Sequence, residues 1–217
     1  MPRSQKVIEL ERASGAERVL EAARGLFATH GYQGTSIRDI VRIAGTNLNS
    51  VNYHFGDKQG LYVAVLRREH ERADADARRS LPPPDTRADA EVRLRALIER
   101  MLFLFLDDAS LLPRLAALEI VNPSPAFDEV APALHARDQQ ELSDVVRRLL
   151  GNSADEELVR RCVRSVLSQC AYYMFTGPVL ARMEPGTRFN AAAIHRLADH
   201  VAEFSLHAIR GLRRSAT

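Results

Sequence analysis

Residues 35–61 read TSIRDIVRIAGTNLNSVNYHFGDKQGL, and the punctuation of this stretch decides the fold. Ile37, Ile40, Val41 and Ala44 recur at helical spacing, with Ser36 and Asp39 as a capping box in front of them and Thr35 as an alternative cap. Gly45 closes the segment, because glycine takes the left-handed backbone that ends a helix without a Cβ penalty. Only two residues later Asn47 can cap a second short helix, Leu48 to Phe55, with Val51 and Phe55 as its inward pair. Gly56 and Asp57 reset the chain, and Asp57 can cap a further helix beginning at Lys58. Two short helices joined by a glycine turn form a helix-turn-helix, in which the first crosses a nucleic-acid backbone and the second offers its outer face to the major groove.

That outer face carries Leu48, Asn49, Ser50 and Asn52. Asn pairs bidentately with adenine, Ser with several bases, and Leu can touch a thymine methyl. Around it stand Thr35, Ser36, Tyr53 and His54, with Lys58 at a helix N-terminus, all suited to phosphate. On spacing alone a second reading stays open: a helical corner whose Asn and Ser only cap and whose Tyr packs.

Upstream, Val19, Ala22, Ala23, Leu26 and Phe27 form one apolar stripe from Gly15 onward, ended by Gly31. Residues 1–14 show no sustained period and are expected to be a mobile arm, in which Arg3 and Lys6 either reach a groove or are simply solvated. Downstream, Leu61, Tyr62, Val65 and Leu66 fade into Arg67–Arg79, a long solvated helix stopped by Leu81-Pro82-Pro83-Pro84-Asp85. Residues 87–106 end in the apolar run Met101 to Leu106, and Ser110 caps a helix carrying Leu111, Leu115 and Leu118. Asn122-Pro123-Ser124-Pro125 is a break. A further helix carries Leu134, Leu142, Val145, Val146 and Leu149 and stops at Gly151. Ser153 with Glu156 predicts a second capping box, opening a helix that Thr176-Gly177-Pro178 should end, and a last helix runs from about Asn190 to Leu212. No segment alternates with period two for long. The chain is expected to be all-α, with about nine helices: an N-terminal helix-turn-helix domain over 15–60, joined by the long fourth helix to a helical domain within 61–217.

Composition narrows the function classes. With 217 residues, 46% hydrophobic and 27% charged, the chain is of ordinary globular make-up. Thirty basic against 28 acidic side chains give a net charge of +2, too little to argue for nucleic acid by itself. Residues 1–79 hold 13 basic and 10 acidic groups, so the excess lies toward the N-terminal side. The longest apolar run is far too short to span a bilayer and no export signal opens the chain, so the expected setting is the cytoplasm, away from membrane. Cys162 and Cys170, eight residues apart on one predicted helix, stand about 12 Å from each other and read as buried free thiols.

The wording of the N-terminal residues adds to their spacing. Ala23, Leu26-Phe27, His30-Gly31-Tyr32, Gly34-Thr35-Ser36-Ile37-Arg38-Asp39-Ile40 and Ala44-Gly45, then Val51-Asn52-Tyr53-His54-Phe55-Gly56-Asp57-Lys58-Gln59-Gly60-Leu61, resemble the TetR family of bacterial transcription regulators. The resemblance implies a homodimer with N-terminal DNA readers and a C-terminal domain that binds a ligand and dimerises. It implies that Thr35, Ser36, Tyr53, His54 and Lys58 hold phosphates while Asn49, Ser50 and Asn52 face bases. Most family members carry an aromatic residue in place of Asn52 and a small or basic one in place of Leu48. The string from Asn47 to Gly56, together with Asn122-Pro123-Ser124-Pro125-Ala126-Phe127, is similar to the CecR (YbiH) subgroup.

The last two helices look apolar on more than one face. Val159, Cys162, Val163, Val166, Cys170 and Tyr173 form one stripe of the eighth, and Leu167, Ala171 and Phe175 a second. Ile194, Leu197, Ala198, Val201, Phe204 and Ala208 form the main stripe of the ninth. One face should meet the subunit's own core and another a second copy, giving an isologous four-helix interface; a monomer with a thick core is the plainer option. A small-molecule effector cavity is expected among Met101, Phe105, Leu115, Phe127, Leu134, Tyr172 and Tyr173, each of which can equally be ordinary core. Glu119 and His135 either orient a ligand, face solvent or bond internally. His195, His200 and His207 lack the i, i+4 spacing of a zinc pair, and no catalytic motif, metal site or cofactor loop is found. The expected function is a ligand-responsive regulator, most simply a repressor, bound to a palindromic DNA operator. Two alternatives are a helical enzyme or carrier with a vestigial motif, and a non-specific DNA coater.

Overall fold

A computed structural model of the chain describes residues 14–80, 89–106, 110–151, 154–184 and 189–215. The expected arm apart from Ser14, the proline-rich stop at Leu81–Asp85, Ser153, and the side chains of Leu134 and His135 lie outside the described residues. The described residues form nine helices and no strand: α1 (Gly15–Gly34), α2 (Ile37–Ala44), α3 (Leu48–Phe55), α4 (Lys58–Ser80), α5 (Ala90–Leu106), α6 (Leu112–Val121), α7 (Pro125–Leu150), α8 (Glu156–Met183) and α9 (Ala191–Ser215). The fold is all-α, as the sequence pattern predicts.

The local signals act where they were read. Gly31 breaks α1 with φ 70°, and Gly45 ends α2 in the left-handed region at φ 61°, ψ 40°. Asp57 Oδ1 accepts from Gly60 N at 2.8 Å to start α4, and Ser110 Oγ accepts from Leu112 N at 3.3 Å to start α6. Two expectations at α8 need correction. Its cap is Asp155, not Ser153: the Asp155 side chain accepts from Leu158 N at 3.2 Å, one residue ahead of the first helical position. Nor does Thr176-Gly177-Pro178 end it. The helix continues to Met183, with Thr176 Oγ1 bonded back to Tyr172 O at 2.6 Å. Gly177 is buried where a Cβ would stand 3.7 Å from Phe189 and 4.0 Å from Leu106, so tertiary packing outweighs the one amide donor that Pro178 lacks.

Two compact units emerge. The first gathers the described residues up to Glu71 together with Arg114–Leu134, so α6 and the start of α7 fold onto the helix-turn-helix region. Its core holds Val19, Phe27, Ile40, Val51, Leu61, Tyr62 and Leu115, each at most 1% exposed. Burying a side chain of this size contributes about 1.5–3 kcal/mol. Ion pairs strap α1 to α4: Arg24 Nε meets the buried Glu69 at 2.6 Å, and Arg68 forks onto both oxygens of Glu17 at 2.6 and 3.2 Å.

The second unit gathers the described residues of 72–113 and 135–217. Here α5 packs against α8 and α9 around Leu94, Ile98, Leu102, Leu142, Val146, Cys170 and Leu206. Arg93 pairs with Glu141, Arg95 with Glu203 and Arg210 with Glu91, tying α5 to α7 and α9. Of the expected α8 stripe, Val159, Cys162, Val163, Val166 and Cys170 are buried and Tyr173 is half-buried. On α9 the expected stripe is wrong in part. Phe204 is 61% exposed and Ala208 is exposed, whereas Ala202, Leu206 and Ile209 turn inward with Ile194, Ala198 and Val201. The 3.6-residue period admits either neighbour of the stripe, and packing on α5 selects between them.

A candidate nucleic-acid interface

The turn between α2 and α3 is built from its caps. Ser36 Oγ accepts from Asp39 N at 3.1 Å and donates to Asp39 Oδ2 at 2.6 Å, closing the box at the α2 start. That bond, with Arg42 at 2.6 Å, holds the Asp39 carboxyl below its ordinary range. At the other end Thr46 N donates to Val41 O at 3.0 Å, and Arg18 Nε of α1 donates to Ala44 O at 3.1 Å. Asn47 Oδ1 then accepts from Ser50 N at 3.1 Å and launches α3, whose Val51 is sunk into the core at 1% exposed. Val51 fixes the rotation of the short helix, so its opposite face is solvent's.

On that face stand Leu48 at 48% exposed, Asn49, Asn52 and Tyr53 at 85% exposed. Positions i, i+1, i+4 and i+5 make one contiguous ribbon. The outward Tyr53 disposes of the reading in which it packs inside. His54 is exposed beside it, edge-on to the Tyr53 ring at 4.9 Å. Ser36 is exposed at the α2 N-terminus, where the first helical N–H groups have no intrahelical acceptor and so favour an anion.

Three of the expected residues sit differently. Thr35 is buried at 3% exposed, with its Oγ1 donating to Gly31 O at 2.8 Å, so its hydroxyl serves the α1 kink. Ser50 is half-buried at the seam with α1, its Oγ 3.5 Å from where a Cβ on Gly15 would stand. Lys58 is half-buried, its ammonium 4.4 Å above the Tyr32 ring centroid, and burial lowers its pKa from the ordinary value. Arg38, which motif reading passed over, is exposed on the first turn of α2 with no hydrogen-bond or ion-pair partner among the described residues. Its place two residues beyond the Ser36 cap, on the outer side of the turn, is the signal that would have found it.

The expected cavity residues do not gather in one unit. Met101, at 7% exposed, lies in the core of the second unit, and the half-buried Phe105 and Tyr173 pack against that core; Tyr172 is 52% exposed. Leu115 is fully buried in the first unit, which also holds the half-buried Phe127. Glu119 turns out to be an internal hydrogen-bonding group, 2% exposed, taking the Tyr62 hydroxyl at 2.6 Å and Ser124 N at 2.8 Å. No cluster of metal-ligating side chains and no helix apolar and long enough to cross a membrane occurs among the described residues.

Comparison with known proteins agrees with this geometry. Residues 19–65 match the family model of bacterial regulatory proteins of the tetR family, and residues 90–209 match that of the C-terminal domain of the HTH-type transcriptional dual regulator CecR. The chain is 38% identical over 53 residues to the HTH-type transcriptional repressor AcnR of Corynebacterium glutamicum, covering 24% of this chain and 28% of that protein. It is 29% identical over 133 residues to CecR of Shigella flexneri, covering 55% of this chain and 59% of that one. The matched span is thus about a quarter to three fifths of these relatives' length. Among solved structures, a transcriptional regulator from Rhodococcus sp. Rha1 shares the fold with a TM-score of 0.66 at 19% identity, over 90% of this chain and 97% of that chain. The chain belongs to the TetR family of bacterial regulatory proteins, with a C-terminal domain of the CecR type.

Proposed function

We propose that the protein is a dimeric, sequence-specific DNA-binding transcriptional regulator of the cytoplasm, a repressor released from a palindromic operator by a small molecule. The observation that carries this reading is the exposed ribbon Leu48, Asn49, Asn52 and Tyr53, held outward by the buried Val51. Asn49 and Asn52 read base edges, Leu48 meets a thymine methyl, and Ser50 contributes from the seam. Ser36, Tyr53, His54, Lys58 and Arg38 fix the register on phosphate, with Thr35 bracing the turn beneath them. Residues 15–60 are the reader and 61–217 the effector-binding and dimerising part.

A single recognition helix discriminates poorly, so two copies are required, set about 34–36 Å apart on successive major grooves. The second copy packs on the outer faces of α8 and α9, where Tyr172, Phe175, Val179, Met183, Phe204 and Leu212 are each more than 40% exposed. The effector binds among apolar and aromatic side chains that include Met101, Phe105 and Tyr173, and favours a state with altered reader spacing. Selection of binding sites from a random duplex pool at physiological salt tests the reading. A palindrome with half-sites about one helical turn apart is expected. A folded dimer that enriches nothing, with or without added cell metabolites, refutes it.

A further inference from the structure

Glu119 is a carboxylate buried at 2% exposure with no cation in ion-pairing distance among the described residues. One of its oxygens takes the Ser124 N–H, and the other takes the Tyr62 hydroxyl at 2.6 Å. Tyr62 is itself fully buried, its ring 4.6 Å from Phe27 and 5.2 Å from Tyr32. Tyr32 in turn lies under the Lys58 ammonium at 4.4 Å. Every contact in this series lies within the first unit. It runs from α6 to the first residue of α4, three positions past the last residue of the recognition helix.

We propose that Glu119 is a positioning residue for DNA binding. Its hydrogen bond fixes the Tyr62 ring, Tyr62 orients Tyr32, and Tyr32 seats the Lys58 ammonium where it meets a phosphate. This deepens the reading above and rests on Lys58 contacting DNA. Without Glu119 the buried Tyr62 hydroxyl has no partner and seeks one by moving, and without the hydroxyl the ring loses its tether; either way the aromatic stack beneath Lys58 loosens. The cation–π seat is lost with the ring's orientation.

Tyr62→Phe and Glu119→Met test this, because each removes one end of the hydrogen bond with little change in side-chain volume. The chain has only two lysines, Lys6 and Lys58, which makes amine labelling of the intact protein easy to read. In the absence of DNA, brief acylation followed by peptide mass spectrometry should show the Lys58-to-Lys6 labelling ratio rising about two- to fivefold in both variants. Tyr32→Leu should raise it at least as much, and Tyr62→Phe should add nothing on that background. With DNA, both variants should bind the selected operator about three- to tenfold more weakly for all sequences alike, with the salt slope flattened by about one phosphate. Ser124→Ala, which keeps the backbone donor, should match wild type in both assays. Variants that lose thermal stability yet keep the wild-type labelling ratio and salt slope overturn the proposal, since Glu119 then only holds the core together. A wild-type protein that selects no operator refutes the DNA reading instead, and the labelling ratio separates the two failures.

Discussion

Gly60→Ala should break the join between recognition helix and scaffold, while the same substitution at Gly25 should stabilise the chain. Gly60 sits in the first turn of α4, its N–H held by Asp57 Oδ1 at 2.8 Å. A Cβ there would stand 3.3 Å from the Phe55 carbonyl carbon and far inside contact distance of its oxygen. Both partners are backbone, so no side-chain rotation relieves the overlap; the last turn of α3 must move against α4. Overpacking of this kind costs about 1–3 kcal/mol, with the rigid partner pointing to the upper half. At about 2–4 °C per kcal/mol for a chain of this length, Tm should fall by about 5–10 °C. The displacement is delivered to α3, the proposed DNA reader, so operator affinity should fall with it. Gly25 lies exposed within α1, outside the positive-φ region, and a Cβ there meets nothing within 4 Å. Gly25→Ala should therefore gain about 0.5–1 kcal/mol by restricting the unfolded chain. Calorimetry of both variants at one protein concentration, with operator titrations alongside, decides the matter. A Gly60→Ala protein melting within roughly one degree of wild type refutes the steric argument.

The other expectations are narrower. Asn52→Ala should lose about 1–3 kcal/mol of discrimination at particular base pairs and little non-specific affinity, whereas Lys58→Ala should weaken all sequences alike; competition binding against mutated operators tells them apart. Phe204→Asp should weaken dimerisation at least about thirtyfold, the equivalent of a 2 kcal/mol hot spot, and sedimentation equilibrium showing an unaltered dimer would remove α9 from the interface. Burial pushes the Cys170 thiol from 9.0 up to about 12. The folded chain keeps this proton after an unfolded chain has released it, so the contribution to stability is complete below about pH 9 and is lost from there toward about 12. Denaturant melts between roughly pH 8 and 11 should show wild type losing more stability than Cys170→Ala, and parallel losses would contradict the burial.

What the chain's neighbours along the sequence can settle was legible early. Ser36 caps α2 because Asp39 is three residues away, Gly45 ends it because glycine alone is at ease at φ 61°, and Asn47 launches α3 through Ser50 N. These bonds span at most four residues and hold in almost any surroundings. They were enough to place α3, and the alternation of Val51 with Leu48 and Asn52 was enough to tell its inner from its outer face.

Contacts distant in sequence decided the rest. Thr35 looked like a surface donor until the packing of the first unit buried it at 3% exposed, and Arg38 gained meaning only when its surroundings were seen to lack an acceptor. Thr176-Gly177-Pro178 has the composition of a stop, yet the packing of Gly177 beside Phe189 and Leu106 carries the helix through it. Helical periodicity admits two neighbouring stripes on α9, and burial against α5 exposed Phe204 while hiding Leu206. Glu119 was one acid interrupting an apolar run. A hydrogen bond across 57 residues made it the base of the stack that reaches Lys58. By itself the sequence determined helices, caps and the turn, since their free energy comes from groups a few residues apart. The fates of Thr35, Phe204 and Glu119 waited on the tertiary structure, because desolvation and long-range pairing are properties of the assembled core.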